Sequence, residues 1–165
     1  LLFFTSSALA GVISGTTEEE PNLVNATHLA MERGISFSEN ATPQSGDYTN
    51  RITLRTKDVE VSGTTIGRTD RARLVSAFDQ EIEIELAPHI GIFRYRDVPG
   101  QVGRVGTALG QASVNIASMA VSRSPSEGLA VMGITVDHPV PDDVARQIGE
   151  LDGFERVWFI ELDEG

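Results

Sequence analysis

Two short segments in the second half of the chain contain side chains that could bind a small zwitterion. The first is the turn Tyr95-Arg96-Asp97-Val98-Pro99-Gly100, and the second is Ser113-Val114-Asn115-Ile116. Asp97 can pair with an ammonium group, and Asn115 can both donate and accept hydrogen bonds. A helix starting near Gly100 would offer backbone N–H groups and its dipole to a carboxylate. Together these groups have the chemistry that an amino acid requires.

The same residues also fit a purely structural interpretation. Asp is common in turns and at helix caps, Pro presets φ, and Gly permits a positive φ. Asn115 would then be an ordinary turn residue before a strand. The residue types alone leave both interpretations open.

The order of the predicted elements determines where the two segments lie. Apolar spacing and Gly/Pro breaks predict a strand over 90–95, a helix over 100–112, strands over 114–122 and 129–136, a helix from Pro141 and a strand over 157–162. This β-α-β-β-α-β order predicts two helices on one face of a four-stranded sheet. Because the first helix returns the chain to Asn115, we expect Asp97, Asn115 and the helix start to lie near one another.

The first part of the chain predicts a separate α+β domain with an antiparallel sheet. Its predicted elements are helices over 1–12 and 22–33 and strands over 35–39, 51–55, 59–61 (before a break at Gly63), 74–78 and 82–86. The strand Ile82–Leu86 alternates most clearly, and its carboxylates, with Glu81, would form a solvated face or, alternatively, a cation site. We place the domain boundary at Pro88, which gives domains 1–87 and 88–165.

We interpret the apolar first segment as a helix of the fold rather than as a signal peptide or a membrane span. It lacks a basic start and is too short to cross a bilayer. We therefore expect a buried helix, and we expect the chain to begin inside a larger protein.

Composition excludes several classes of function. The chain has 165 residues and a formal charge of −11, from 24 acidic and 13 basic residues, which disfavours a nucleic-acid partner. It contains no cysteine, which excludes disulfides and thiolate metal sites and fits a cytoplasmic protein. His28, His89 and His138 form no pair at metal-ligand spacing, and no dinucleotide, Walker or nucleophile-elbow motif is present. We therefore predict no catalytic residue and no metal.

Two stretches resemble known domains. Tyr95-x-Asp97-x-Pro99-Gly100, followed by Val102-Gly103-x-Val105-Gly106 and Val114-Asn115-Ile116, resembles the ACT domain family over about residues 89–162, which implies a ferredoxin-like fold. Val24-Asn25-Ala26, Ala30-Met31-Glu32-Arg33-Gly34 and Val61-Ser62-Gly63-Thr64 are similar to the intervening, or allosteric substrate-binding, domain of D-3-phosphoglycerate dehydrogenases. The two resemblances in this order imply the C-terminal regulatory region of such an enzyme.

The resemblance also implies a ligand. D-3-phosphoglycerate dehydrogenases oxidise 3-phosphoglycerate with NAD in the first committed step of serine synthesis, but their nucleotide-binding and catalytic residues lie upstream of the region matched here. The resemblance thus implies an oxidoreductase as the parent protein and no cofactor in this chain. In the family, L-serine binds between two paired ACT domains of a homodimer or larger homo-oligomer. Carried over, the ligand-binding residues are Tyr95, Asp97, Pro99, Gly100, Asn115 and Ile116.

The chain departs from the family at one predicted site, and two alternative functions remain open. Where some relatives place basic residues in an anion site, this chain has Gln80, Glu81 and Glu85, with Arg73 the only matched cation, so we expect no binding of substrate phosphate. An assembly module with little ligand response would explain the same domains. So would the regulatory part of an iron–sulfur L-serine dehydratase.

Overall fold

The computed structural model describes residues 2–14, 16, 19–38, 40, 48, 50–68, 71–124 and 126–162. Two compact units divide the chain, one over residues 1–47 and the other over 48–165. The boundary predicted at Pro88 falls inside the second unit, between two sheets. The division into family domains 1–87 and 88–165 stays a prediction.

The first unit consists of two helices, α1 (Leu2–Ile13) and α2 (Ala26–Glu32). Leu9 of α1 packs with Ala26 and Ala30 of α2 in a small core. The predicted first helix is confirmed, but its burial is one-sided, because Phe3 is 62% exposed and Val12 is 59% exposed. A helix with apolar residues all round has more apolar surface than this small core can cover.

Side-chain hydrogen bonds make α2 shorter than predicted. The Oδ1 atom of Asn22 accepts the N–H groups of Val24 and Asn25, and this local turn replaces the first helical turn. The helix ends before Gly34, which has φ +73. The strand predicted over 35–39 is wrong for 35–38, which form no strand. The side chains of Ile35 and Phe37 pack on the helices, which explains the alternation of apolar and polar residues.

The second unit begins with an antiparallel sheet of four consecutive strands: β1 (Ile52–Arg55), β2 (Glu60–Ile66), β3 (Arg71–Ala77) and β4 (Gln80–Glu85). The break predicted at Gly63 is wrong, because β2 continues through a register shift between Ser62 and Gly63. Between β3 and β4, Phe78 and Asp79 form a two-residue turn with φ values of 53 and 61, the signature of a type I′ hairpin.

The remaining elements form the predicted βαββαβ module. They are β5 (His89–Arg96), α3 (Gln101–Gln111), β6 (Ile116–Ser124), β7 (Leu129–Val136), α4 (Asp142–Gly149) and β8 (Phe154–Glu161). The sheet order is β6-β7-β5-β8, and all pairings are antiparallel. Leu109 of α3 and Ile148 of α4 join Phe93 and Met132 in one core, so both helices cover the same face.

The opposite face of this sheet packs on the first sheet. Ile82 and Ile84 of β4 share a core with Ile92 of β5 and Val131 of β7. Gly133 permits this close approach, because an added Cβ would lie 3.2 Å from the Cδ1 of Ile84. The second unit therefore has three layers: helices, the β5–β8 sheet and the β1–β4 sheet.

Candidate functional site

Asp97 follows β5 at one end of the module. Its backbone N–H donates to the carbonyl oxygen of Gly128, 2.9 Å away, in the turn between β6 and β7. Its Oδ2 accepts a hydrogen bond from Nε of Arg123, 2.6 Å away on β6. The Asp97 side chain is 19% exposed and that of Arg123 is 67% exposed. The carboxylate is therefore fixed by its neighbours and still reachable from solvent.

Tyr95 contributes mostly to the core below Asp97. It is 2% exposed, and its ring stacks on Phe154 with 5.3 Å between ring centroids. Burial raises the pKa of Tyr95, the negative charge of Asp97 raises it further, and the positive charge of Arg123 partly opposes both. The phenol thus stays protonated at neutral pH.

Gly100 and Pro99 shape the start of α3. Gly100 is the N-cap residue with φ +96, and among the described residues no side chain caps the first N–H groups of the helix. Two side chains of the first turn hold the helix start in place: Nε2 of Gln101 and Nη1 of Arg104 donate to the carbonyl oxygen of Asp152, at 3.0 and 2.9 Å. Uncapped N–H groups at a fixed helix start can receive an anionic group.

Asn115 lies at the corner between α3 and β6. Ser113 turns the chain there with φ +60. The backbone N–H of Asn115 donates to Oδ1 of Asp137 at 3.1 Å, and the N–H of Asp137 donates back to the Asn115 carbonyl oxygen at 3.2 Å. Ile116 starts β6 half-buried, paired with Val136. Asp137 therefore holds the corner through the backbone of Asn115, and these two hydrogen bonds do not involve the exposed Asn115 side chain.

The structure does not bring Asp97 and Asn115 together within one module. Asp97 bonds to the turn before β7, whereas Asn115 bonds to Asp137 directly after β7. The length of the sheet, on the order of 25 Å for strands of eight residues, separates them. The expectation that one module assembles both is wrong, because α3 runs antiparallel to β5 and returns the chain to the level where β5 began.

Sequence reasoning did not identify Arg123 and Asp137 as neighbours of the two predicted site residues. Arg123 is 26 residues from Asp97, and Asp137 is 22 residues from Asn115. Only the pairing of β6 and β7 brings them there. The one available signal was their place at strand ends, next to predicted turns.

The polar face of the first sheet carries both acidic and basic side chains. Glu81, Glu83 and Glu85 alternate with buried residues, as predicted for a solvated face. Nη2 of Arg73 lies 3.5 Å from Oε2 of Glu85. Nη2 of Arg51, which sequence reasoning did not single out, donates to Oγ of Ser62 and Oγ of Ser76, both at 3.1 Å.

Metal and membrane features are not found in the described part of the chain. Among its residues, no cluster of three or more His, Asp or Glu side chains could hold a metal ion. No helix within the same residues is long and apolar enough to span a bilayer.

Comparisons with known proteins agree with the topology. Residues 90–153 match the family model described as ACT domain. The module is an ACT domain. Residues 2–78 match the D-3-phosphoglycerate dehydrogenase intervening domain. The chain thus carries an intervening domain followed by an ACT domain.

Curated relatives match almost the whole chain. It is 31% identical over 168 residues to D-3-phosphoglycerate dehydrogenase of Bacillus subtilis, covering 97% of this chain and 31% of that protein. D-3-phosphoglycerate dehydrogenase of Archaeoglobus fulgidus is 30% identical with the same coverage. The enzyme of that name from Synechocystis is 29% identical over 159 residues, with 94% and 29% covered. The chain spans about a third of the length of these relatives.

Proposed function

We propose that this chain is the regulatory part of an NAD-dependent D-3-phosphoglycerate dehydrogenase of L-serine biosynthesis, and that L-serine binds between two ACT domains for feedback control. Two domain matches in the order expected of that enzyme support the proposal. The three relatives described above each match 94% or more of the chain and carry that enzyme name. We assign NAD binding and the oxidation step to parts of the parent enzyme other than these residues.

The observation that carries the proposal is the position of Asp97 and Asn115 at opposite ends of the module. If two copies of β6 lie antiparallel, the Asp97 end of one copy meets the Asn115 end of the other. β6 is an edge strand of its sheet, with Met119 and Val121 exposed at 37% and 43%. An unpaired edge with apolar side chains favours such pairing. A two-fold axis then creates two equivalent sites.

Each predicted site residue has a role in such a seam. Asp97 pairs with the ammonium group of serine, and the uncapped N–H groups after Gly100 face its carboxylate. Asn115 of the second copy hydrogen-bonds the ligand, with Ile116 beside it. Pro99 shapes the turn, and Tyr95 supports it from the core.

Calorimetric titration of the chain with L-serine tests the proposal. We expect a Kd between micromolar and millimolar, about −8 to −4 kcal/mol, and a loss of binding in Asp97→Ala. Asp58→Ala, which removes an exposed carboxylate far along the sequence, is the matched control and should bind as the unmodified chain does. No heat from the unmodified chain, or unchanged affinity in Asp97→Ala, contradicts the proposal.

A second function, assembly without a ligand response, is favoured by the same exposed β6 edge. Light scattering combined with the titration separates the two. A stable dimer that gives no heat with L-serine indicates an assembly module, whereas a monomer at high protein concentration argues against both.

A further inference from the structure

We propose that Asp97 and Arg123 act together as a clamp for an α-amino acid, with Asp97 binding the ammonium group and Arg123 binding the carboxylate. The proposal rests on the proposed function and adds Arg123 to its site as the residue that selects a free carboxylate. The carboxylate of Asp97 and the guanidinium of Arg123 lie in direct contact.

The ion pair leaves donors and acceptors unused. Nε of Arg123 donates to Oδ2 of Asp97 at 2.6 Å. Within the described residues, Oδ1 of Asp97 accepts no hydrogen bond, and neither Nη atom of Arg123 donates one. An exposed ion pair of this kind contributes little to stability. The free hydrogen-bonding atoms are more informative, because Oδ1 of Asp97 is an acceptor and the Nη atoms of Arg123 beside it are donors.

Strand register places Arg123 on the correct face. Ala130 of β7 pairs with Tyr95 of β5 on one side and with Arg123 of β6 on the other. Cross-strand partners project from the same face of a sheet, so Arg123 shares the helix-covered face with Tyr95. Asp97, which Arg123 contacts, lies two residues beyond Tyr95 and directly after β5, so the ion pair lies at this end of the sheet.

The pair matches a zwitterion in charge and in shape. One carbon atom joins the ammonium and carboxylate groups of an α-amino acid, so the two charges lie side by side, as those of Asp97 and Arg123 do. A guanidinium binds a carboxylate through two parallel N–H bonds, which lysine cannot reproduce. Arg123 and the N–H groups at the start of α3 would then hold the two carboxylate oxygens jointly.

Titrations of Arg123→Gln with L-serine and with L-serinamide test the clamp. Serinamide keeps the ammonium group but has no carboxylate. We expect Arg123→Gln to weaken L-serine binding about 10-fold to 100-fold, the range for a lost hydrogen bond to a charged group, and to leave serinamide binding nearly unchanged. Asp97→Asn should weaken both ligands. Arg156→Gln, which removes an exposed arginine from β8, is the matched control and should leave both affinities unchanged.

Each outcome decides between the interpretations. Unchanged or tighter L-serine binding in Arg123→Gln overturns the clamp, as do equal losses for L-serine and serinamide, which would mean that Arg123 only orients Asp97. If the unmodified chain binds another amino acid through Arg123 but not L-serine, the clamp stands and the serine assignment fails. If it binds no amino acid, both fail. Arg123→Lys should restore only part of the L-serine affinity.

Discussion

Replacing Phe78 with alanine should weaken the contact between the two sheets of the second unit. Phe78 is 8% exposed, and its ring stacks on Trp158 with 4.9 Å between centroids and 10° between planes. The Cζ of Arg94 lies 5.5 Å from the same ring. A buried Phe→Ala change costs about 3–5 kcal/mol, of which stacking supplies about 1 kcal/mol. Alanine keeps the φ of 53, so no backbone strain is relieved to offset the loss.

Chemical denaturation followed by tryptophan fluorescence measures this effect directly, because Trp158 is the only tryptophan in the chain. Phe78→Ala should lower the free energy of unfolding by about 3 kcal/mol or more and shift the native emission, as one face of Trp158 meets water. Phe78→Leu should lose only about 1 kcal/mol, because it keeps most of the burial. Phe4→Ala, at a position 54% exposed, should be nearly neutral. A loss below about 1 kcal/mol for Phe78→Ala, with unchanged emission, would refute the three-layer packing.

Three further predictions concern the ACT domain. Gly91→Ala should destabilise the fold by about 2–3 kcal/mol in the same denaturation assay, because its Cβ would lie 2.8 Å from Cγ1 of Ile134; a neutral result would mean that the core there is loose. Ser113→Gly should raise the melting temperature, with a gain of about 1 kcal/mol from relieving a φ of +60, and no gain would show that the corner carries no strain. Burial raises the pKa of Tyr95 in the folded state above its ordinary value of 10.0. The stability that the neutral phenol contributes is therefore complete below about pH 10 and is lost as the pH rises through the pKa of the folded state. Denaturation at alkaline pH should therefore show a smaller loss in Tyr95→Phe than in the unmodified chain, and equal slopes would contradict this assignment.

Much of the fold could be predicted because local patterns and tertiary contacts agree. The apolar run of β5 and the Gly and Pro residues beside it marked a strand and its turn, and the structure confirms both. Residues 35–38 alternate in the same way but have no strand partner within the described part of the chain, and Ile35 and Phe37 pack on helices instead. Gly63 was predicted to end a strand because a glycine at a register shift inside a strand looks the same in the sequence as a glycine that ends one.

The candidate site could be predicted only in part. Asp97 and Asn115 were identified by residue type and by their places at predicted turns. Their separation depends on the direction of α3, which a turn motif does not encode. Arg123 and Asp137 come from distant strand ends, and only the register of β6 with β7 reveals them.

Mixing two inactive variants tests the central claim, that the serine site is shared between two copies. Asp97→Ala and Asn115→Ala should each abolish L-serine binding in calorimetry. When they are refolded together in equal amounts, half of the dimers pair one variant with the other, and each such dimer has one intact site. We predict that L-serine binding returns at about a quarter of the unmodified stoichiometry and with unmodified affinity. Mixed samples that bind no serine, while each variant still dimerises, would contradict a site shared across the seam.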